Sequence, residues 1–347
     1  MQHPKEIDDL IREAKEKLKA EGYKDIGFLA KGKRGIVIQA TKSSKELCIK
    51  YRNPFSSVNT LANEYNILKI LEKEHIAPRP IEFKDNYLVM ERINGSEIEE
   101  FIKKANRNNA IRILWQIIDY MVLLDSLMIN KQEMNHPQKH IMIRKEKTSR
   151  VKDSDNSLMY RSWLIDFERA SYTNNPKNLS QFLSYLRSGN MKKILEEKGI
   201  CIKDEDVLKI IKEYKAENLF KTKDRMKKEM LMNKLKLYIF IKEDNKNSLR
   251  ERVLLETSKI PYGKTCSYSY IASKTNTKAF LVIGRILASN PFSPVVPCHR
   301  VVKANRELGG YMHQMNNPLK KRLLESEGVR IEKIGNKEFV AEEDFLG

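Results

Sequence analysis

Residues 290–302 read NPFSPVVPCHRVV and place a cysteine, Cys298, directly before a histidine and an arginine. A cysteine acts as a nucleophile only as the thiolate, a form that a neighbouring base or positive charge favours. The same stretch also suits a buried structural cysteine in an apolar strand, because valines flank it and adjacent strand residues point to opposite faces. The motif alone leaves both roles open.

Further motifs lie around this stretch in a fixed order: IPYGKTCSYSYIA at 260–272, LGGY at 308–311 and LLESEG at 323–328. Together they make residues 250–331 resemble the C-terminal domain of the alkylguanine-DNA alkyltransferases, also called methylated-DNA-protein-cysteine methyltransferases. A chance match to PCHRV alone is expected on the order of once in ten thousand such chains, and the ordered flanks favour the reactive role.

The resemblance implies a single-use DNA-repair reaction. Cys298 would accept an alkyl group from O6 of guanine in double-stranded DNA and keep it as a thioether, with no metal or redox cofactor. His299 would be a water-mediated base and Glu327 the carboxylate that orients it, which is the logic of a catalytic triad with sulfur as nucleophile. Tyr268 would help to rotate the target nucleotide out of the duplex and assist protonation of the departing guanine.

The resemblance also implies a set of residues that contact DNA or shape the base pocket. Asn290 would support the active-site turn, the carbonyl of Val301 would read the flipped base, and Tyr311 would lie in the loop that roofs the pocket. Residues implied on the DNA side are Ala279, Leu281, Gly284, Arg285, Arg300 and, as a phosphate contact like Arg285, Lys278.

A helix-turn-helix is expected to carry the DNA contacts, with a first helix around 268–273 and a recognition helix around 278–289. In the resembled family the second helix enters the minor groove, and small residues suit that close approach, although they are equally ordinary where helices pack. KAFLVIG places Leu281 where the family has an arginine that fills the vacated base stack. Residues 312–314 replace the small residues of the family's roof loop.

A second set of motifs lies in the N-terminal half: KGKRG at 31–35, ELCIK at 46–50, ANEYNILKIL at 62–71, YLVMERING at 87–95 and WLIDFE at 163–168. Each motif alone suits a hairpin turn, a strand end or a surface charge. Their order suits a nucleotide cleft between two lobes, and residues 26–186 resemble small archaeal protein kinases of the RIO-like or atypical type.

That resemblance implies binding of ATP and Mg²⁺. Backbone around Gly32 and Gly35 would cover the phosphates, Lys50 would hold them while pairing with Glu64, and Asp166 would bind the metal. The further residue implied at the adenine hinge is Glu91.

The catalytic loop departs from the kinase pattern. NKQEMNHPQKHIMI at 130–143 leaves Glu133 as the candidate base and His140 near the usual asparagine position, and Glu168 replaces the glycine after Asp-Phe. The motifs therefore predict nucleotide binding and leave open whether a protein substrate is phosphorylated or the domain is a pseudokinase.

Composition limits the partners and the compartment. The chain has 347 residues, with 65 Lys and Arg against 46 Asp and Glu, a formal charge of +19 that favours polyanions without proving one. Four cysteines without paired spacing favour a reducing cytoplasm. The N-terminus lacks an apolar signal core, and we expect no membrane span.

Length and periodicity predict the organisation. A chain of this length exceeds what one hydrophobic core usually supports, which predicts more than one domain. An amphipathic helix is predicted over 4–20, three strands over 26–51 and a helix over about 58–73. We therefore predict a multidomain α+β protein: a bilobal kinase-like domain (1–191), a helical connector (192–247) and a mainly helical alkyltransferase domain with a helix-turn-helix (248–347). Two alternatives are a protein kinase tethered to DNA and a non-catalytic sensor of alkylated DNA.

Overall fold

The fold mixes helix and sheet, as the sequence predicts. The structure is a computed structural model that describes residues 4–32, 34–53, 60–84, 86–146, 159–200, 202, 204–216, 220–221, 231–233, 235–236, 248–290 and 292–347. The chain falls into two compact units, residues 1–194 and 195–347. None of the described helices is long and apolar enough to cross a membrane.

The first unit begins with a helix packed on an antiparallel sheet. Helix α1 (Pro4–Ala20) precedes the strands β1 (Lys24–Lys31), β2 (Gly35–Lys42) and β3 (Lys45–Arg52), and these join β4 (Pro80–Lys84) and β5 (Tyr87–Glu91) in the order β1-β2-β3-β5-β4. Leu10, Ala14 and Leu18 recur every four residues on one face of α1 and are buried with the inward side chains of the sheet. The predicted helix and the three predicted strands are confirmed.

A glycine brings the turn between β1 and β2 close to β3. A Cβ atom at Gly35 would collide with the carbonyl oxygen of Tyr51, so only glycine fits this approach. The N–H of Gly32 donates to the carbonyl of Gly35 at 2.8 Å and closes the turn.

The rest of the first unit is mainly helical. It contains α2 (Leu61–Leu71), β6 (Ser96–Glu97), α3 (Ile98–Lys104), α4 (Arg107–Ser126), β7 (Ile129–Asn130), β8 (Ile141–Glu146), β9 (Met159–Leu164), β10 (Ser171–Tyr172), α5 (Asn178–Leu186) and the first part of α6 (Gly189–Glu197). The side chain of Asn106 caps α4 by accepting a hydrogen bond from the N–H of Asn109. Most of the apolar side chains of this helix are buried. The predicted start of α2, near 58, lies outside the described residues.

The second unit is built from short elements. They are α7 (Asp204–Ala216), α8 (Leu249–Ser258), β11 (Cys266–Ser267), α9 (Tyr268–Lys274), α10 (Phe280–Ala288), β12 (Val301–Val302), β13 (Gly310–Tyr311), β14 (Gln314–Met315), α11 (Pro318–Ser326), β15 (Ile331–Ile334) and β16 (Lys337–Val340). Much of the second half of the predicted helical connector (192–247) falls outside the described residues.

The structure departs from one expected helix boundary and from the apolar strand that a purely structural cysteine would suit. Helix α10 begins at Phe280 rather than 278, because Ala279 has a non-helical ψ of 62° and its N–H is bound to the Thr277 hydroxyl at 3.2 Å. Residues Cys298–Arg300 form a 3₁₀ turn instead of a strand, and β12 begins only after it, pairing in parallel with β11. Because the segment turns here, consecutive side chains need not alternate between two faces, and all three are buried.

Candidate functional site

The thiol of Cys298 lies in a buried, hydrogen-bonded position. Its side chain is 5% exposed, and the amide nitrogen of Asn290 donates to Sγ at 3.1 Å and to the carbonyl of Val296 at 2.8 Å. Burial raises the pKa of the thiol, while hydrogen bonds from Asn290 and Ser293 act in the opposite direction. The thiol therefore needs a base to become a thiolate, and Asn290 holds both the turn and the sulfur.

A buried charged cluster lies beside the cysteine. His299 Nε2 is 2.7 Å from Glu327 Oε1, and Arg300 binds the same carboxylate through two nitrogens, at 2.7 and 2.8 Å. Burial acts to raise the pKa of Glu327, but the hydrogen bonds from His299 and Arg300 outweigh it and lower the pKa to about 2. A carboxylate accepts hydrogen bonds only, so the His299 proton sits on Nε2.

This arrangement leaves the other ring nitrogen of His299 free to accept a proton. Among the described side chains, His299 Nδ1 is one of the buried polar atoms without a hydrogen-bond partner. A neutral imidazole with its proton held on one nitrogen offers a lone pair on the other. His299 and Glu327, which the sequence analysis paired, are therefore adjacent and suitably oriented for a base.

Arg300 corrects one expectation. The sequence analysis groups it with the DNA contacts, but Arg300 is 4% exposed and its third guanidinium nitrogen donates to the carbonyl of Ile260 at 2.8 Å. Because its guanidinium is buried and bound on all three nitrogens, Arg300 is held rigidly and does not present a surface to DNA phosphate. The structure places Arg300 behind the cysteine, where it fixes Glu327.

Lys320 is a residue that sequence reasoning missed. Its ammonium group is 1% exposed and donates to the carbonyls of Val301, at 2.6 Å, and Gly310, at 3.1 Å. Burial lowers its pKa to about 7, against the attraction of Cys298. The available signal was its position seven residues before Glu327, the C-cap residue of α11, because seven residues make about two helical turns and place both on one side.

A cavity of about 240 Å³ opens onto the cysteine. Cys298 and Tyr268 line it together with Tyr311, whose hydroxyl lies 2.6 Å from that of Ser293. Burial, and secondarily Cys298, raise the pKa of Tyr268, so its hydroxyl keeps its proton. The roof is the β13–β14 hairpin, whose two-residue turn, residues 312–313, has positive φ at both positions.

Helix α10 presents an open face next to this cavity. Leu281, Gly284, Arg285 and Ala288 recur at spacings of three and four, and Leu281 is 82% exposed. A Cβ atom at Gly284 would meet nothing within 4 Å. Of the other residues that the sequence predicts to contact DNA, Lys278 is exposed and Ala279 is the N-cap residue of α10.

The predicted nucleotide residues converge in the first unit. Lys50 Nζ is 2.8 Å from the carboxylate of Glu64 and 2.7 Å from Asp166 Oδ1, and the N–H of Phe167 donates to Glu64 at 2.9 Å. Burial acts to raise the pKa of Asp166, but the charge and hydrogen bond of Lys50 lower it to about 2. A fixed positive charge and an ionised carboxylate therefore lie side by side.

These residues border a cavity of about 880 Å³. Gly32, Gly35, Lys50, Glu91 and Asp166 line it, whereas Glu64 is fully buried behind the lysine. An ion pair of 3.3 Å between Arg34 and Glu168 connects the glycine turn to the segment after Asp166.

Glu133, the candidate catalytic base in the loop before β8, lies outside the cavity lining. Its carboxylate pairs with Arg169 at 2.6 Å and with His140 Nε2 at 3.4 Å. Its role as a base stays a prediction. Lys131, which the sequence analysis did not select, is buried and donates to the carbonyl of Asp166 at 2.8 Å; burial lowers its pKa to about 8.

Comparison with known proteins matches the two parts of the chain separately. Residues 248–329 match the family model described as 6-O-methylguanine DNA methyltransferase, DNA binding domain. Residues 40–130 match the model described as RIO domain. Two parts of the chain therefore match the models of two known protein families. Both resemblances stated from the sequence are thereby confirmed.

Two curated relatives match about a quarter of the chain. The methylated-DNA–protein-cysteine methyltransferases of Methanothermobacter thermautotrophicus and Archaeoglobus fulgidus are 45% and 44% identical over 83 and 87 residues, 24% of this chain in each case. The chain spans about half the length of these relatives, 46% and 58%. The crystal structure of the Rio2 kinase from Chaetomium thermophilum has 16% identity and a TM-score of 0.43, covering 66% of this chain and 72% of that one.

Proposed function

We propose that this protein repairs DNA by moving an alkyl group, such as methyl, from O6 of guanine to Sγ of Cys298. The observation that carries the proposal is a buried thiol that lines a cavity together with Tyr268 and lies beside the paired His299 and Glu327. A purely structural cysteine would need neither an oriented histidine nor a cavity. The matched alkyltransferase relatives support the same reaction.

The reaction begins with removal of the thiol proton. Glu327 fixes the proton of His299 on Nε2, and the free Nδ1 takes the Cys298 proton through one water molecule. The arginine at position 300 keeps Glu327 ionised, which stabilises the imidazolium that forms.

The thiolate then attacks the alkyl carbon in line with the bond to O6. A carbon–sulfur bond forms, the carbon–oxygen bond breaks, and its electron pair leaves with the guanine. Tyr268 donates a proton to the departing base and regains one from the imidazolium, so the proton lost by Cys298 ends on guanine. Because no electron is gained or lost and a thioether is not hydrolysed, the transfer needs no cofactor and each molecule acts once.

We further propose that α9 and α10 form a helix-turn-helix that binds the minor groove of double-stranded DNA. The open side of Gly284 permits close approach of the backbone, and the exposed Arg285 and Lys278 suit phosphate contacts. Leu281 would enter the stack that the flipped nucleotide vacates. Flipping costs a few kcal/mol and is cheapest for a damaged, weakly paired base, which contributes to selectivity.

For the first unit we propose a bilobal nucleotide-binding domain over 1–191, joined to the alkyltransferase domain (248–347) by a connector. The cavity of about 880 Å³ is within the size range of small-molecule sites. Lys50 would hold ATP phosphates, Glu91 would border adenine, and Asp166 would bind Mg²⁺, which neutralises phosphate charge. The pairing of Lys50 with both carboxylates fits that use.

The repair proposal is tested by counting O6-methylguanine in a duplex before and after incubation with the full chain. Wild-type protein should remove one lesion per molecule and then stop. Cys298→Ala should remove none, while the matched control Cys266→Ala, a buried cysteine of the same unit, should keep full activity. Lesion-selective binding by folded wild-type protein without any loss of methylguanine would contradict repair and indicate a sensor.

A further inference from the structure

One ion pair joins two walls of the N-terminal cavity. Arg34 Nη1 lies 3.3 Å from Glu168 Oε1, and both residues line the cavity. Arg34 belongs to the turn between β1 and β2, whereas Glu168 follows Asp166 by two positions. The pair therefore lies at the end of the cavity where Gly32, Gly35 and Asp166 are expected to meet nucleotide phosphates.

The side chain of Arg34 makes a weak contact on a fixed backbone. Its carbonyl accepts a hydrogen bond from the N–H of Asn53 at 2.8 Å, which holds the turn in place. Hydrogen bonds between guanidinium and carboxylate groups are usually about 2.7–2.9 Å long, and the bond to Glu168 is longer, at 3.3 Å. Because both side chains are also more than a quarter exposed, at 29% and 27%, the pair contributes little to stability and can exchange partners.

Glu168 lies in a position that is electrostatically unfavourable for a carboxylate. Burial and the negative charge of Asp166 raise the pKa of Glu168, while the charges of Lys50 and Arg34 act in the opposite direction. A phosphate group carries more negative charge and more acceptor oxygens than a carboxylate, and its geometry suits bidentate binding by guanidinium. A phosphate at this end of the cavity would therefore bind Arg34 more strongly than Glu168 does.

We propose that Arg34 binds the terminal phosphate of a nucleoside triphosphate and that Glu168 competes with this phosphate for the same guanidinium. A nucleotide whose adenine borders Glu91 and whose phosphates reach Asp166 brings its terminal phosphate to the end of the cavity where Arg34 lies. The phosphate then replaces the carboxylate on the guanidinium, and no covalent bond changes. The inference rests on the proposed nucleotide binding and adds a residue that distinguishes a triphosphate from a diphosphate.

The test measures the affinity of the full chain for a fluorescent ATP analogue, and for ATP, ADP and adenosine by displacement, at constant Mg²⁺. Arg34→Gln should weaken ATP binding roughly tenfold, the effect of one charge-assisted hydrogen bond, and leave ADP and adenosine nearly unchanged. Glu168→Gln should tighten ATP binding by about two- to fivefold, because it removes a competing, partly exposed ion pair. The matched control is Asp9→Asn, which makes the same change of charge in an exposed ion pair on α1 and should leave all affinities unchanged.

The double variant Arg34→Gln with Glu168→Gln decides whether the two residues act on each other. The gain from Glu168→Gln should vanish when Arg34 is replaced, because no guanidinium is left to release. A gain that persists would mean simple repulsion between carboxylate and phosphate, and a loss of ATP affinity in Glu168→Gln would make Glu168 a binding residue. Either result overturns the inference. If the fluorescent analogue binds neither to the wild type nor to Glu168→Gln, the nucleotide proposal itself fails and this inference fails with it.

Discussion

At the scale of single residues, the proposed alkyl-transfer site depends on one carboxylate that binds two partners. Glu327 orients His299 and neutralises Arg300, and all three side chains are nearly excluded from solvent. Removing one partner of a buried ion pair leaves the other charge without compensation. The same residue should therefore control both the rate of transfer and the stability of the second unit.

Glu327→Gln should slow the single-turnover methyl transfer by about 10²-fold or more, because His299 loses the group that fixes its proton. It should also lower the free energy of unfolding by about 3–5 kcal/mol, since Arg300 stays buried and charged. Quench-flow kinetics and urea titration measure the two effects. Glu325→Gln, an exposed neighbour on α11, is the matched control and should change neither.

The depressed pKa of Glu327 predicts a pH dependence. Its folded-state pKa of about 2 lies below the ordinary value of 4.5, so the unfolded state binds the proton more readily. The stabilisation is fully present above pH 4.5 and is lost as the pH falls towards 2. The stability difference between wild type and Glu327→Gln should shrink across that window in urea titrations at successive pH values. A difference that stays constant would refute the pairing.

At the scale of elements, helix α10 combines an exposed apolar residue with an open glycine. Leu281 projects from the helix next to the cavity, and with the exposed Phe280 and Val282 beside it forms an apolar patch of the kind that marks binding surfaces. A wedge inserted into the base stack would bury it. The helix is therefore expected to gain its contacts only on DNA.

Leu281→Ala should slow transfer from a lesion in duplex DNA by roughly tenfold, which is the loss expected when one buried leucine side chain is truncated. Transfer from a lesion placed in an unpaired loop should change little, because no stack has to be filled. Stability should stay within about 0.5 kcal/mol. Val282→Ala on the same helix serves as control; equal slowing on both substrates would contradict the wedge.

Gly284→Ala should have opposite effects on stability and on binding. The added methyl group meets nothing in the free protein, so better helix propensity should raise the free energy of unfolding by up to about 1 kcal/mol. The same methyl group would hold the helix away from the groove and weaken DNA affinity. Thermal unfolding and fluorescence anisotropy measure the pair of effects, and unchanged affinity would argue against contact at this residue.

Much of the fold at this scale could be predicted from the sequence, for a physical reason. Helix α1, the three strands after it and helix α9 follow patterns set within a few residues. The burial of Lys320 and Lys131 could not be predicted, because an isolated lysine signals solvent and only tertiary packing supplies the carbonyls that receive it. The order of the motifs identified Cys298 and His299. The 3₁₀ turn that buries both side chains could not be predicted, because it depends on the contacts of Asn290 with Val296 and Cys298.

At the scale of the whole molecule, both proposed sites receive phosphates. We propose that Asp166 and Lys50 bind a nucleotide in the first unit and that α10 binds DNA in the second, in a chain with a formal charge of +19. Such a charge favours polyanions in general, so the geometry of each site has to supply the selectivity. DNA affinity should accordingly fall steeply with salt, while the chemistry at Cys298 should not.

The most direct test follows the alkyl group itself. The full chain would be incubated with a duplex whose O6-methylguanine carries a deuterated methyl group, digested, and analysed by tandem mass spectrometry. We predict one deuterated methyl group per chain, located on Cys298, together with restored guanine in the DNA. Unlabelled Cys298 in folded, DNA-bound protein, or a label on another residue, would contradict the assignment of Cys298 as the acceptor.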